Sequence, residues 1–99
     1  LLNREVIAIN QDPLGKVAER KVNTDTHQIF VRPLADGSYA VALLNVSDAP
    51  LTLTADFARL GLSGKYTVRD LWQHRDIAKN AKSWKGKVQA HETKVFRLK

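Results

Sequence analysis

The sequence predicts an all-β domain: an antiparallel β-sandwich with Greek-key connections, about seven or eight short strands, preceded by one short N-terminal helix. Three observations predict it. Short apolar runs recur between turn signals from Lys16 onward. None alternates with a long helical pattern, which argues against a parallel βαβ sheet. The length of 99 residues, with 43% hydrophobic and 26% charged content, suits one globular core and is too short for two.

The first twelve residues read differently from the rest. Asn3 is a plausible N-cap, and Leu2, Val6 and Ile9 fall on one stripe of a short helix. Pro13 disfavours helix at Asp12, so the helix stops by Gln11. A helix this short is not stable alone in water, so its stripe must lie on something else. The chain opens Leu1-Leu2 and contains no methionine, which leads to the expectation of a piece of a longer polypeptide.

The β signals then follow in order. Residues 28–34 hold an Ile/Phe/Val cluster, and Asp36-Gly37 is a strong hairpin signal. Residues 38–46 are apolar on both parities, as expected of a central strand covered on both faces. Pro50 places the next strand at an edge or at its own start, and Leu51, Leu53 and Ala55 alternate with Thr52 and Thr54. Asp56 to Gly61 reads as one helical turn closed by glycine. Residues 65–72 return to strand. Gly86 marks a turn, Val88 with Ala90 suggests a short strand, and residues 93–98 make the last one. Residues 16–24 carry a weaker strand pattern.

Composition excludes several function classes. With no cysteine there is no disulfide scaffold, thiolate metal site or cysteine nucleophile. No apolar run approaches the ~20 residues that span a bilayer. The net charge of +6 is spread along the chain, with a modest concentration at Lys79, Lys82, Lys85 and Lys87. Charge alone is weak support for nucleic-acid binding, and Phe30 beside Arg32 is its one further hint.

Candidate chemistry is thin. His27, His74 and His91 lack zinc-protease spacing, and their ordinary reading is turn or surface histidine. A glycosidase needs two carboxylates facing each other across the scissile bond. Asp70 and Asp76 flank Trp72, but the strand is expected to end between them, so Asp76 falls in a turn and the pair has no reason to converge. No serine sits in a Gly-x-Ser-x-Gly elbow, and there is no phosphate-binding glycine loop. Asn45-Val46-Ser47 is a formal glycosylation sequon, discounted because Asn45 closes a buried strand. Trp72 and Trp84 are read as core or interface mass before ligand platforms. No catalytic, substrate-binding or metal residue is assigned, and no cofactor is expected.

Four stretches together resemble one family. Residues 1–15 (Leu-Leu-Asn-Arg-Glu-Val-Ile-Ala-Ile-Asn-Gln-Asp-Pro-Leu-Gly) are similar to the segment that ends the catalytic barrel of clan-D, melibiase-type α-galactosidases and α-N-acetylgalactosaminidases. Arg32 to Ser38, running into Ala40 to Asn45, resembles the first hairpin after that barrel. Val68-Arg69-Asp70-Leu71-Trp72 resembles a strand of the same β domain, and Val88 to His91 with Val95 to Leu98 resembles its closing strands. The resemblance implies a division at residues 1–12, a remnant of the last barrel helix, and 13–99, a C-terminal antiparallel β domain. It implies a parent that hydrolyses terminal α-galactosides with retention, through two aspartates of a (β/α)₈ barrel, and that is exported from the cytoplasm. The family's Lys-Tyr-Asp motif has only Lys65-Tyr66-Thr67 to match it here, so no catalytic residue carries over. The implied partner is the missing barrel, reached through Leu2, Val6 and Ile9; galactoside is met only through it, with no nucleic acid and no membrane. The alternative is an autonomous carbohydrate-binding module, which would need Trp84 or Tyr39 exposed.

Overall fold

A computed structural model describes Arg4, Leu14, Gly15 and residues 17–99. The expected helix over 1–12, with Leu2, Val6 and Ile9, lies outside the described residues. The described chain forms eight strands: β1 (Glu19–Asn23), β2 (His27–Pro33), β3 (Tyr39–Asn45), β4 (Leu51–Asp56), β5 (Tyr66–Asp70), β6 (Arg75–Ala81), β7 (Ser83–Val88) and β8 (Thr93–Leu98). A six-stranded sheet has the order β1-β2-β3-β8-β5-β6, and β4 pairs with β7 in a second, two-stranded sheet. Every pairing is antiparallel. The chain changes sheet on passing from β3 to β4, from β4 to β5, from β6 to β7 and from β7 to β8, which gives the expected sandwich.

Period-2 alternation sends one side of each strand inward. Ile29, Val31, Val41, Leu43, Val68, Phe96 and Leu98 of the large sheet meet Leu53, Ala55 and Val88 of the small one, all buried. Asp36-Gly37 does close a hairpin, through a three-residue loop. Gly37 N–H bonds the Leu34 carbonyl, Leu34 N–H bonds the Ser38 carbonyl, and Gly37 takes the left-handed φ of +87° that this loop needs.

The turn after β4 is capped at both ends. Asp56 Oδ1 accepts from the Ala58 and Arg59 amides. At the other end Leu62 N–H reaches the Phe57 carbonyl and Gly61 N–H reaches the Ala58 carbonyl, with Gly61 left-handed at +84°. This is a Schellman arrangement, and its apolar pair, Phe57 and Leu62, is buried in the core.

Two expectations are corrected. Gly86 lies inside β7 and is not at a turn. In β7, Ser83, Lys85 and Lys87 face out while Trp84, Gly86 and Val88 face in. The glycine is there because the Trp84 indole lies over it: a Cβ at residue 86 would sit 2.6 Å from the ring. The expected strand around Val88 and Ala90 therefore begins earlier and ends at Val88. Residues 75–81, rich in Arg, Asp, Lys and Asn, form β6 although no strand is predicted there. Two bulges shift its register against β5, so Ile77, Ala78 and Ala81 all pack on the core without strict alternation. Charge and bulges are what an edge strand carries to resist pairing with another chain.

Gly86→Ala should lower stability by about 1–3 kcal/mol, since the indole must move off Phe96 to admit the methyl. Urea unfolding measures it, and an unchanged midpoint would show that the ring has room.

Candidate functional site

Among the described residues the predicted chemical groups do not converge. Arg69 and Asp76 are cross-strand partners, as are Asp70 and Arg75, so Asp70 and Asp76 face opposite sides of one hairpin. Asp70 is buried and its Oδ1 accepts from the amides of Trp72 (2.9 Å) and Gln73 (3.0 Å), which caps the turn. Asp76 lies in β6, not in a turn, and pairs with Arg69 at 3.3 Å. Neither carboxylate has a partner across a cleft. The histidines stay apart: His27 Nδ1 contacts the hydroxyls of Thr24 and Thr26, His91 Nε2 contacts Asp48 at 2.8 Å, and His74 sits in the β5–β6 turn at φ +54°. No three His, Asp or Glu side chains gather among the described residues. No helix there is long and apolar enough to cross a membrane.

Asn45 is fully buried. Its Nδ2 donates to the carbonyls of Ala49 and Val88, and its Oδ1 accepts from the amide and hydroxyl of Ser47. The sequon side chain is thus spent on tying β3 to the end of β7. The aromatics also depart from the carbohydrate-module expectation. Trp84 packs on Phe96 with ring centroids 4.8 Å apart, and Tyr39 is half-buried against Tyr66. The exposed indole is Trp72, with 52% of its surface open to solvent at the β5–β6 turn.

What the fold assembles is a contrast between its two outward faces. The small sheet presents Thr52 opposite Lys87 and Thr54 opposite Lys85, all exposed. The large sheet presents a row of Phe30, Ala42 and Val95 in cross-strand register, all only half-buried and none packed on the core. Leu44 stands half-buried beside it on β3. The next row reads Arg32, Ala40, Arg97, Arg69, Asp76 across five strands.

Two arginines opposite each other, Arg97 and Arg69, repel, and carboxylates at both ends offset this. Asp36 bonds Arg97 Nη2, lies 3.9 Å from Lys99 Nζ, and accepts from the amide and hydroxyl of Ser38; Arg97 Nε donates to that hydroxyl at 3.1 Å. Thr67, Arg69, Asp76, Arg97 and Lys99 line an open groove of about 360 Å³. The Nε of Arg32 is buried and has no hydrogen-bond partner among the described residues. The Ser38 hydroxyl and amide lower the Asp36 carboxyl to about 2 against the opposing effect of burial, and the Arg97 guanidinium adds to the lowering. These groups can bind and orient a partner; they hold no acid–base pair aimed at a common point. Sequence reasoning missed this face as a site, although the double apolar parity of residues 38–46 is its trace.

The family model described as "Alpha galactosidase C-terminal beta sandwich domain" matches residues 24–98. The chain is 40% identical to "Alpha-galactosidase 3" of Arabidopsis thaliana over 105 aligned residues, covering 99% of this chain and 24% of that protein. It is 36% identical to an "Isomalto-dextranase" of Arthrobacter globiformis, covering 97% of this chain and 16% of that one. The crystal structure of alpha-galactosidase I from Mortierella vinacea superposes with a TM-score of 0.87 at 29% identity, over 97% of this chain and 26% of that chain. The chain therefore spans about a quarter of the length of these two galactosidases.

The pKa of Asp36 is depressed, so its contribution to stability is present above 3.8 and disappears as pH falls toward about 2. Asp36→Asn should lose that contribution at neutral pH and flatten the acid limb of a stability–pH curve. An identical acid limb in the variant would show that the Asp36 cluster is not coupled to folding.

Proposed function

Because the chain belongs to the α-galactosidase C-terminal β-sandwich family, we propose that it is the accessory domain of a glycoside hydrolase, without turnover of its own. Its work is to brace the catalytic domain that precedes it. The observation that carries this reading is a β-sandwich in which Asp70, Asp76 and Asp36 are held in a cap and in ion pairs, and which corresponds to about a quarter of two longer galactosidases. In this reading residues 1–12 are the end of the last barrel helix, residues 13–99 are the β domain, and Leu2, Val6 and Ile9 face the barrel. The parent hydrolyses terminal α-galactosides with retention, by residues outside this chain. The relative named isomalto-dextranase carries a matching stretch, which favours assigning the choice of sugar to the rest of the enzyme.

A second reading, a carbohydrate-binding module, draws on Trp72, whose open indole face could stack on a sugar ring. It is the weaker one because the neighbouring polar groups are already committed. Arg75 Nε bonds Gln73, and Arg69 Nη2 bonds the His74 carbonyl.

The isolated chain should show no turnover of an aryl α-galactoside, and activity that survives dilution and repurification would defeat the accessory reading. Excising residues 17–99 from the full-length polypeptide should lower both its activity and its unfolding temperature. Galactose-containing oligosaccharides at millimolar concentration should leave tryptophan fluorescence unchanged; a saturable change abolished in Trp72→Ala would establish the second reading instead.

A further inference from the structure

We infer that the outward face of the β4–β7 ribbon is a binding surface for a linear polysaccharide that carries carboxylates, with Lys82, Lys85 and Lys87 meeting the carboxylates and Thr52 and Thr54 meeting the sugar hydroxyls. The inference goes beyond the accessory-domain reading and rests on it only for the class of polymer.

Register builds the face. Thr52 stands opposite Lys87, Thr54 opposite Lys85 and Asp56 opposite Ser83. The other side of the same two strands buries Leu53, Ala55 and Val88 in the core and packs Trp84 on it. Lys85 and Lys87 are two residues apart on one strand, so their stems leave one side of the ribbon about 7 Å apart. Lys82 joins them at one end, because its carbonyl accepts the Phe57 N–H and so holds the crossing from β6 to β7 against the end of β4. All three lysines are exposed.

The charge on this face is uncompensated. Three lysines elsewhere in the fold meet a carboxylate: Lys21 pairs with Glu19, Lys94 with Glu92, and Lys99 lies 3.9 Å from Asp36. Lys82, Lys85 and Lys87 have no ion pair among the described residues. Asp56, the carboxylate at the Ser83 end, is spent on the amides of Ala58 and Arg59 and on the Arg59 guanidinium, 4.0 Å away. Like charges side by side on a sheet repel, and here the cross-strand neighbours are threonines that offset nothing. A lysine that only guards an edge against pairing does that work equally well beside a carboxylate.

The residue types choose the polymer. Trp84, the aromatic of the ribbon, packs inward on Phe96, and the outward side chains of β4 and β7 include no aromatic or large apolar group. Single-stranded nucleic acid binds through aromatic stacking as well as charge, and a membrane surface takes in apolar area. Ammonium groups beside exposed hydroxyls offer point charges to carboxylates and hydrogen bonds to sugar hydroxyls. A chain of uronic acid residues presents both along its length. Each such contact is weak in water, so binding needs several at once and falls with salt. Retention on such a chain concentrates the hydrolase over the sugars attached to it.

The test uses the full-length protein and sodium polygalacturonate, with binding followed by biolayer interferometry. The expected result is saturable binding that weakens about tenfold or more between ~50 and ~200 mM salt. Lys85→Gln with Lys87→Gln should weaken it about tenfold and leave hydrolysis of a small aryl glycoside unchanged. Lys21→Gln with Lys99→Gln, which removes the same charge from the large sheet, should weaken it less than about twofold. No binding, or equal losses in the two double variants, overturns the inference. Tighter binding to heparin, to single-stranded DNA or to phosphatidylserine vesicles assigns the face to another polyanion and overturns the choice of partner. Absence of binding in a full-length protein that hydrolyses glycosides defeats the inference and leaves the accessory reading standing. Binding through this face in a full-length protein without glycosidase activity does the reverse.

Discussion

The Trp84 indole lies over Gly86 on one side and against Phe96 on the other, and through this contact the two sheets are held as one body. The small sheet has only β4 and β7, and a two-stranded ribbon is marginal by itself. Its attachment depends on large apolar groups crossing to the other layer, and Trp84 is the largest side chain that β4 and β7 send inward. Residue 86 must then be glycine, since any Cβ would occupy the space of the ring. Leu53 pairs with Gly86 and Ala55 with Trp84, so large and small residues alternate across the ribbon.

The two ends of the sandwich are sealed by different chemistry. At one end Asn45 uses both its amide hydrogens and its oxygen to join β3, the following turn and the last carbonyl of β7. At the other, Phe57, Tyr66 and Tyr39 meet edge to face at 5.9 and 6.2 Å, and the Tyr66 hydroxyl donates to the Ser63 carbonyl at 2.7 Å. A buried polar side chain is tolerated because every hydrogen-bonding position is filled, and the aromatic end leaves its polar tip at the surface. Both seals tie the ends of the strands into one body.

Function follows from which groups are committed and which are not. The carboxylates that tempt a catalytic reading are engaged: Asp70 in a cap and Asp76 in an ion pair. What stands uncommitted among the described residues is surface: a half-buried apolar row, one open indole, and an arginine nitrogen without an acceptor there. This chain spans about a quarter of the length of the two galactosidases compared above.

Length, alternation and turn residues by themselves determined the fold class, because a short-strand pattern broken by Asp36-Gly37, Pro50 and Gly61 has few ways to bury its apolar residues besides a sandwich. The runs in β2, β3, β4 and β8 were legible because inward and outward residues differ there, or because both are apolar. The run of β6 was not, since its bulges break the period and its burial comes from β5 and the core beneath it. Gly86 was misread as a turn because a glycine's own conformational freedom is local information, while the indole that demands it belongs to another residue's packing. The apolar parity of β3 announced two covered faces, yet only the assembled sheets show that the second cover is missing from the described residues, because register alone brings Phe30, Ala42 and Val95, distant in sequence, into one row.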